Sequence, residues 1–208
     1  MYRASEIKAL SEAEIARKLT HVRDTFIDKP IFKGKNNYPY SLFSLTDSFP
    51  ALRPELVEDM ADLIVYYGHF EAADVIVSEA DRGGGPLAHA VAVRTGLPYV
   101  LANWYPEAIP EGIAVQTKVG FSGRGYIFLN GLVSGQKAIV VDDLLSTGGT
   151  ALALLEGIVR NSAMPLEALF VAEKVGLGGR EKVSRKYNIP LTALIRFVVD
   201  GDRTKMHQ

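Results

Sequence analysis

Cysteine is absent from the 208-residue sequence, tryptophan occurs once, and no apolar run approaches the ~20 residues that a membrane-spanning helix needs. Without cysteine, the chain cannot form a disulfide framework, a thiol nucleophile or a zinc–thiolate centre. An excess of one charge is also missing, because 23 Lys and Arg residues balance 24 Asp and Glu residues. The sequence therefore predicts a globular protein with no nucleic-acid partner and no membrane partner. Charge within residues 1–6, where a secretory signal would be apolar, indicates a cytoplasmic location.

The domain organisation follows from a change of pattern near residue 70. With 48% hydrophobic residues, the chain has enough apolar material for one domain with an appendage. Residues 1–70 are predicted to form N-terminal helices and an aromatic hood hairpin that belong to the same domain as the core. Residues 71–200 are predicted to form the core itself, and residues 201–208 a tail.

The N-terminal part combines helical patterns with an aromatic segment. Residues 11–14 (SEAE) have the spacing of a capping box and predict the start of an amphipathic helix over 12–27. A second helix is predicted to begin at Pro54 and to reach Tyr67. Between these helices, residues 30–50 contain three prolines and five aromatic residues, which indicate a short hairpin or an irregular lobe.

Apolar runs alternate with helical patterns from residue 73 onward. The runs predicted as buried strands are 73–80, 98–102, 137–142, 167–173 and 191–199. The helices predicted between them are 85–96, 149–162 and 179–187. This alternation predicts an α/β fold with a central, largely parallel sheet flanked by helices. Residues 104–124 are interpreted as a long irregular loop with a functional role, followed by a further strand at 125–130.

The most informative segment, AIVVDDLLSTGGT at 138–150, reads as strand, acidic pair, small-residue loop and helix start. Gly148 and Gly149 would let backbone N–H groups converge on one phosphate, at which the following helix aims its positive end. Further hydroxyl donors would be Ser146, Thr147 and Thr150. Asp142 and Asp143 end the strand, where open α/β sheets place ligands, and they suit ribose hydroxyls or Mg²⁺. The alternative is a plain turn whose polar residues only cap the helix.

A second glycine-rich loop, EADRGGG at 79–85, follows the first core strand and opens a helix. Its segment 83–88 fits the dinucleotide fingerprint G-x-G-x-x-A, which would favour an NAD-dependent oxidoreductase. That fingerprint needs an acidic residue ~20 positions on, at the end of the next strand. Here strand 98–102 is followed by Asn, Trp and Tyr at 103–105, which argues against the dinucleotide interpretation.

The string VVDDLLSTGGT resembles the signature of the type I phosphoribosyltransferases, which bind 5-phosphoribosyl-1-diphosphate (PRPP). The stretches VIVSEADRGGGPLAHAVAVRTGLPYV, TKVGFSGRGYIFLNG and LTALIRFVV are similar to further blocks of the purine branch, most of all the archaeal-type hypoxanthine/guanine enzymes. The resemblance covers about residues 30–200 and extends to adenine phosphoribosyltransferases. It implies the type I phosphoribosyltransferase fold with a small N-terminal hood, and a homodimer. It also implies transfer of the phosphoribosyl group to a purine base, with Mg²⁺ and release of pyrophosphate.

The resemblance also implies residue roles. Around the ribose and the 5-phosphate it places Asp142, Asp143, Leu145, Ser146, Thr147, Gly148, Gly149 and Thr150. For the diphosphate it implies Ala80, Asp81, Arg82 and Gly83, and we add Lys118 from the long loop. Mg²⁺ is expected mainly through PRPP, with Asp142 and Asp143 as protein ligands. The same two carboxylates are the expected catalytic groups, because the transition state gains positive charge at the sugar. Glu111 is the candidate for proton transfer.

Base recognition is assigned by resemblance to Lys174, Arg196 and Phe197. An ammonium group only donates hydrogen bonds, so Lys174 suits the O6 carbonyl of a 6-oxopurine and opposes the 6-amino group of adenine. The alternatives are a solvated lysine at a strand end and a phenylalanine of the core. The hood would cover the base with aromatic side chains of Phe32, Tyr38 and Tyr40.

One departure from the family keeps other functions open. Asn103 and Trp104 stand where several purine enzymes carry Arg and Lys, and Trp104 could stack on a base, meet a partner subunit or simply pack. The expected function is therefore transfer to hypoxanthine or guanine. The alternatives are transfer to adenine, and a non-catalytic protein that binds or senses PRPP.

Overall fold

The computed structural model describes residues 4–34, 37–105, 112–119 and 123–207. Helices and one short hairpin form the N-terminal part: α1 (Ala4–Lys8), α2 (Glu12–Arg23), β1 (Phe32–Lys33), β2 (Pro39–Tyr40), α3 (Ser44–Asp47) and α4 (Pro54–Tyr67). Helix α2 begins with the predicted capping box, in which the side chains of Ser11 and Glu14 bond each other's backbone N–H groups.

Strands and helices alternate in the rest of the described chain. They are β3 (Val75–Glu79), α5 (Gly84–Thr95), β4 (Tyr99–Ala102), β5 (Ala114–Val119), β6 (Gly123–Phe128), β7 (Lys137–Leu145), α6 (Gly149–Arg160), β8 (Met164–Lys174), α7 (Gly179–Lys186), β9 (Leu191–Asp200) and β10 (Arg203–Met206). Six of the strands form one sheet in the order β10-β9-β8-β7-β3-β4. All neighbours are parallel except β10, which is antiparallel to β9. The predicted α/β fold with a largely parallel central sheet is confirmed.

Apolar side chains fill both faces of this sheet. Strand β7 shows why, since Ile139 and Val141 belong to a cluster with α2, α4 and α5, whereas Ala138 and Val140 belong to a cluster with α6. Successive side chains of a strand point to opposite faces, so a continuous apolar run is what a strand buried on both sides requires. No described helix is long and apolar enough to span a membrane.

Two segments contain more structure than the sequence predicts. The segment 104–124, interpreted as an irregular loop, contains β5, which pairs antiparallel with β6. Val115 and Thr117 of β5 are buried while Gln116 is exposed, so an alternation of period two was present but too short to stand out.

The predicted tail 201–208 contains strand β10, which completes one edge of the sheet. Thr204 is fully buried there, and its hydroxyl donates to the Phe26 carbonyl over 2.7 Å and accepts the Lys29 amide over 2.8 Å. The end of the described chain is therefore bound to the segment that leads into the β1–β2 hairpin.

The hood consists of the β1–β2 hairpin and α3, and an aromatic cluster fixes it to the sheet. Phe43 of the hood packs on Phe26 with ring centroids 4.9 Å apart and edge-on against Phe197 of β9 at 5.5 Å. All three rings are buried. The hood thereby stands over the carboxyl ends of the central strands.

Candidate active site

A cleft lies between the hood and the carboxyl ends of β3, β7 and β8. Open α/β sheets bind their ligands at this edge. The cleft is lined from the hood by Tyr38, Tyr40, Ser41, Phe43, Thr46 and Asp47. From the sheet side it is lined by Glu79, Asp81, Arg82, Asp142, Asp143, Leu144, Ser146, Thr150 and Lys174. Residues predicted from two separate loops and one strand end therefore meet in a single cleft.

The small-residue loop after β7 forms a depression of its own beside this cleft. Residues 144–151 line it, and α6 begins within it at Gly149. Gly148 has a φ of +80°, a conformation that favours glycine, and a Cβ there would lie 3.0 Å from the backbone of Gly179. A tight turn with free amides at the start of a helix is an arrangement that binds phosphate.

The acidic pair at the end of β7 is buried beneath the cleft. Asp142 is 3% exposed and Asp143 is 7% exposed. Burial raises the pKa of both carboxyl groups well above the ordinary value, and the neighbouring charge of Asp81 raises the pKa of each further. The Oδ1 atom of Asp142 has no hydrogen-bond partner among the described residues. Such a pair favours a ligand that brings hydroxyl groups or positive charge.

The second glycine-rich loop, after β3, packs directly on the acidic pair. A Cβ at Gly84 would lie 2.7 Å from Oδ1 of Asp142, and one at Gly83 would overlap the carboxylate of Asp143. Asp81 accepts hydrogen bonds from the amides of both glycines, over 3.1 Å at Gly83 and 2.6 Å at Gly84. Asp81 thus holds the loop's own backbone in shape.

Arg82 of the same loop reaches across the mouth of the cleft. Its guanidinium lies 3.4 Å from Oδ1 of Asp47 in the hood, and its side chain is 63% exposed. Asp47 is buried and also accepts the hydroxyl groups of Tyr40 and Thr46. Asp47 was not predicted as a site residue. Nothing in the sequence around it indicated that it would pair with Arg82.

Glu79, at the end of β3, was also not predicted as a site residue from the sequence. It is buried, accepts a hydrogen bond from Nε1 of Trp104 and is bonded by the side chain of Thr150. Burial, followed by the negative charge of Asp81, raises the pKa of Glu79 to about 7. Trp104 therefore packs within the protein and fixes a carboxylate. The sequence could have indicated this contact, because Trp104 closely follows β4 and β4 ends beside β3 in the sheet.

Lys174 ends β8 and is 2% exposed. Its Nζ donates to the carbonyl oxygen of Pro39 and lies 4.8 Å from the centroid of the Tyr38 ring. Burial lowers the pKa of Lys174 to about 8. Lys174 is thus a cleft residue and not a solvated lysine at a strand end. Its Nζ donates to a carbonyl oxygen, and the 6-oxo group of a purine would accept a hydrogen bond of the same kind.

The other two residues assigned to the base lie outside the described cleft lining. Phe197 is fully buried, packs edge-on against Phe43 and lies beside Lys174 in the sheet, but does not itself line the cleft, which matches the alternative of a core phenylalanine. Arg196 points to the opposite face of β9 and donates to Glu173 over 3.0 Å. Glu111 and the side chain of Lys118 lie outside the described residues.

Comparison with known proteins agrees with this geometry, although no family model matches the chain. The hypoxanthine/guanine phosphoribosyltransferase of Methanocaldococcus vulcanius is 31% identical over 182 residues, which cover 87% of this chain and 97% of the relative. That of Ferroglobus placidus is 33% identical over 172 residues, which cover 83% and 89% of the two chains.

Solved structures with the same fold are adenine phosphoribosyltransferases. The enzyme of Rhodothermus marinus has a TM-score of 0.71 at 20% identity and covers 87% of this chain and 99% of its own. That of Giardia lamblia, complexed with 9-deazaadenine, has a TM-score of 0.71 at 21% identity, with 86% and 97% covered. At such identities the likeness shows the fold alone. Through its similarity to the archaeal enzymes over nearly their whole length, the chain belongs to the hypoxanthine/guanine phosphoribosyltransferase family.

Proposed function

We propose that the protein transfers the 5-phosphoribosyl group of PRPP to a 6-oxopurine, hypoxanthine or guanine. The products are a nucleoside 5′-monophosphate and pyrophosphate, and the role is purine salvage. The observation that carries the choice of base is the burial of Lys174 in the same cleft as Asp142 and Asp143. A buried ammonium group favours a carbonyl acceptor on the base over an amino group.

The phosphoribosyl group would lie over the acidic pair. The loop Ser146–Thr150 would take the 5-phosphate through backbone amides and hydroxyl groups, and Leu145 would position the loop's first residue. The carboxylates of Asp142 and Asp143 would accept the ribose hydroxyls. As the bond from C1 to the diphosphate breaks, positive charge develops on the sugar. That charge favours the ionised form of the two buried carboxyl groups, which would stabilise it in turn.

The leaving diphosphate would lie along the second glycine loop. The amides near Ala80 and Gly83 and the guanidinium of Arg82 are its proposed donors, and Asp81 shapes that loop. The Arg82 side chain is exposed and pairs with Asp47, so it can exchange that carboxylate for a diphosphate. Lys118 is proposed as a further cation from the β5–β6 hairpin.

Mg²⁺ fits this cleft as a cation that arrives with PRPP. Asp142 and Asp143 supply hard carboxylate oxygens, one of them unpartnered. The described residues contain no group of three His, Asp or Glu side chains that could hold a metal alone. We therefore propose that PRPP supplies most of the ligands. The bound ion would neutralise negative charge on the leaving group.

Proton transfer from the base and further contacts with it remain proposals from the resemblance. Glu111 is the proposed proton acceptor, and Arg196 and Phe197 are proposed to shape the base site, Phe197 through Phe43. A homodimer is proposed on the same basis, and we also propose a cytoplasmic location.

The test is pyrophosphate release from PRPP and Mg²⁺ with hypoxanthine, guanine, xanthine and adenine supplied separately. Turnover of hypoxanthine or guanine, reduced in Lys174→Gln, is the expected result. Turnover of adenine alone would support phosphoribosyl transfer but contradict the role proposed for Lys174. PRPP binding without turnover of any base would favour the non-catalytic alternative.

A further inference from the structure

Helix α7 and the glycine turn before it lie against the outer side of the phosphate loop. A Cβ at Gly179 would overlap the carbonyl oxygen of Ser146 and lie 3.0 Å from the amide nitrogen of Gly148. The two backbones therefore meet with no side chain between them. Helix α6 directly follows the phosphate loop and is its first support. Helix α7 lies about 30 residues further along the chain and gives the loop a second support.

A buried carboxylate fixes the start of α7. The guanidinium of Arg180 donates to Oε2 of Glu173 through Nε at 2.8 Å and through a terminal nitrogen at 2.7 Å. A further donor of Arg180 reaches the carbonyl of Leu191 at 2.8 Å. Glu173 is 4% exposed, so this attachment to β8 and β9 is shielded from water. The glycine turn is held in place by this attachment.

Lys182 then joins α7 to the phosphate loop. Its Nζ donates to the carbonyl oxygen of Thr147 over 3.0 Å. Both Arg180 and Lys182 lie in the first turn of α7, where the positive end of the helix disfavours cations. The helix itself therefore does not favour a lysine at position 182. The hydrogen bond from Lys182 to the phosphate loop gives this lysine a role.

We propose that Lys182 is a positioning residue for the 5-phosphate of PRPP. By bonding the outward carbonyl of Thr147, it holds the loop in the orientation that turns its amides inward. Its positive charge also lies at the backbone of the loop that would hold the phosphate dianion. The ligand class is a sugar 5-phosphate, and the proposal rests on the assignment of the phosphate loop above.

The experiment compares Lys182→Met with the wild type by calorimetry in the absence of a purine base. Three probes are titrated with Mg²⁺ present: PRPP, ribose 5-phosphate and inorganic pyrophosphate. Loss of one hydrogen bond of ordinary strength predicts about five-fold weaker binding of PRPP and of ribose 5-phosphate. Pyrophosphate, which lacks the 5-phosphate, is expected to bind with unchanged affinity.

Two further variants control the comparison. Lys186→Met removes a cation from the same helix that pairs with Glu156 over 3.0 Å, and it is expected to bind all three probes like the wild type. Lys182→Arg keeps a charged donor and is expected to restore most of the affinity for the sugar phosphates. Thermal unfolding of each variant shows that the fold is retained.

Equal affinity of wild type and Lys182→Met for ribose 5-phosphate would overturn the proposal. Weakening of pyrophosphate by the same factor would also overturn it, because it would indicate general damage to the cleft. A wild-type protein that binds neither PRPP nor ribose 5-phosphate would instead remove the assignment of the phosphate loop, and the role of Lys182 with it.

Discussion

The indole nitrogen of Trp104 donates a hydrogen bond to the carboxylate of Glu79, which places the chain's one tryptophan at the wall of the cleft. The indole is a neutral donor that holds an acid. Because the pKa of Glu79 is raised to about 7, the partner of the indole changes charge near neutral pH.

Tryptophan fluorescence is therefore expected to titrate near pH 7 in the ligand-free protein. Glu79→Gln removes the titrating group and should give an emission spectrum that is constant between pH 6 and 8. The same pH dependence in the wild type and in the variant would show that another group is responsible.

Asp142→Asn is expected to lower activity and to raise stability. The pKa of Asp142 is higher in the folded chain than in the unfolded chain, so between those two values the folded state holds a proton that the unfolded state has released. The free energy of unfolding therefore falls as pH rises through this range. The variant should resist urea better than the wild type at pH 8 and about equally at pH 4, while kcat drops about a hundredfold. A variant that is less stable at pH 8 would contradict the argument.

Lys174→Gln is expected to raise the KM for hypoxanthine by about 10- to 100-fold, the range for one charge-assisted hydrogen bond. The KM for PRPP should change little, since that site lies on other elements. In the wild type the KM for hypoxanthine should rise above about pH 8, where Lys174 loses its charge. Measuring wild type and variant over the same pH range separates this effect from the titration of the base itself.

Arg82→Ala is expected to weaken PRPP and pyrophosphate binding without lowering the unfolding temperature. The pair with Asp47 is 3.4 Å long and the Arg82 side chain is 63% exposed, so water screens the cation. Asp47 keeps hydrogen bonds from Tyr40 and Thr46, so the pair with Arg82 adds little to stability. A marked loss of thermal stability would show that the pair fastens the hood. Calorimetry with pyrophosphate and thermal unfolding decide between these results.

Phe197→Ala tests the core position of a residue that was assigned to the base. Removing a fully buried phenylalanine costs about 3–5 kcal/mol of unfolding free energy. Because the Phe197 ring is not among the groups that line the cleft, the preference among bases should persist in whatever fraction folds. Urea denaturation measures the first effect, and relative kcat/KM values measure the second. An altered preference among bases with unchanged stability would indicate that Phe197 contacts the base directly.

The sheet was predictable because its signal is local and repeated. Strand β7 contains four apolar residues followed by two aspartates, and α6 follows a glycine loop, so strand, loop and helix were each visible in consecutive residues. Strand β5 was missed because its alternation covers only a few residues. Strand β10 was missed because its burial depends on Phe26 and Lys29, far away in the sequence.

Partners across the cleft could not be predicted for the same reason. Which carboxylate meets Arg82, or which carbonyl meets Lys174, depends on how the hood folds over the sheet. The alternation along β9 did carry the information that Arg196 and Phe197 point to opposite faces. Only the packed structure shows that neither side chain belongs to the described lining of the cleft.

Strand β10 has a consequence for how the cleft is completed. Thr204 bonds Lys29 across a separation of 175 residues, immediately before the hood hairpin. A contact of such long range closes late in folding, since the chain must first order the sheet between its two ends. The hood is therefore expected to gain its final position after the phosphate loop, whose bond to α7 spans only 35 residues. Release of this edge strand would remove one attachment of the hood while the binding loops stay folded, and hydrogen exchange at Lys29 would report that opening.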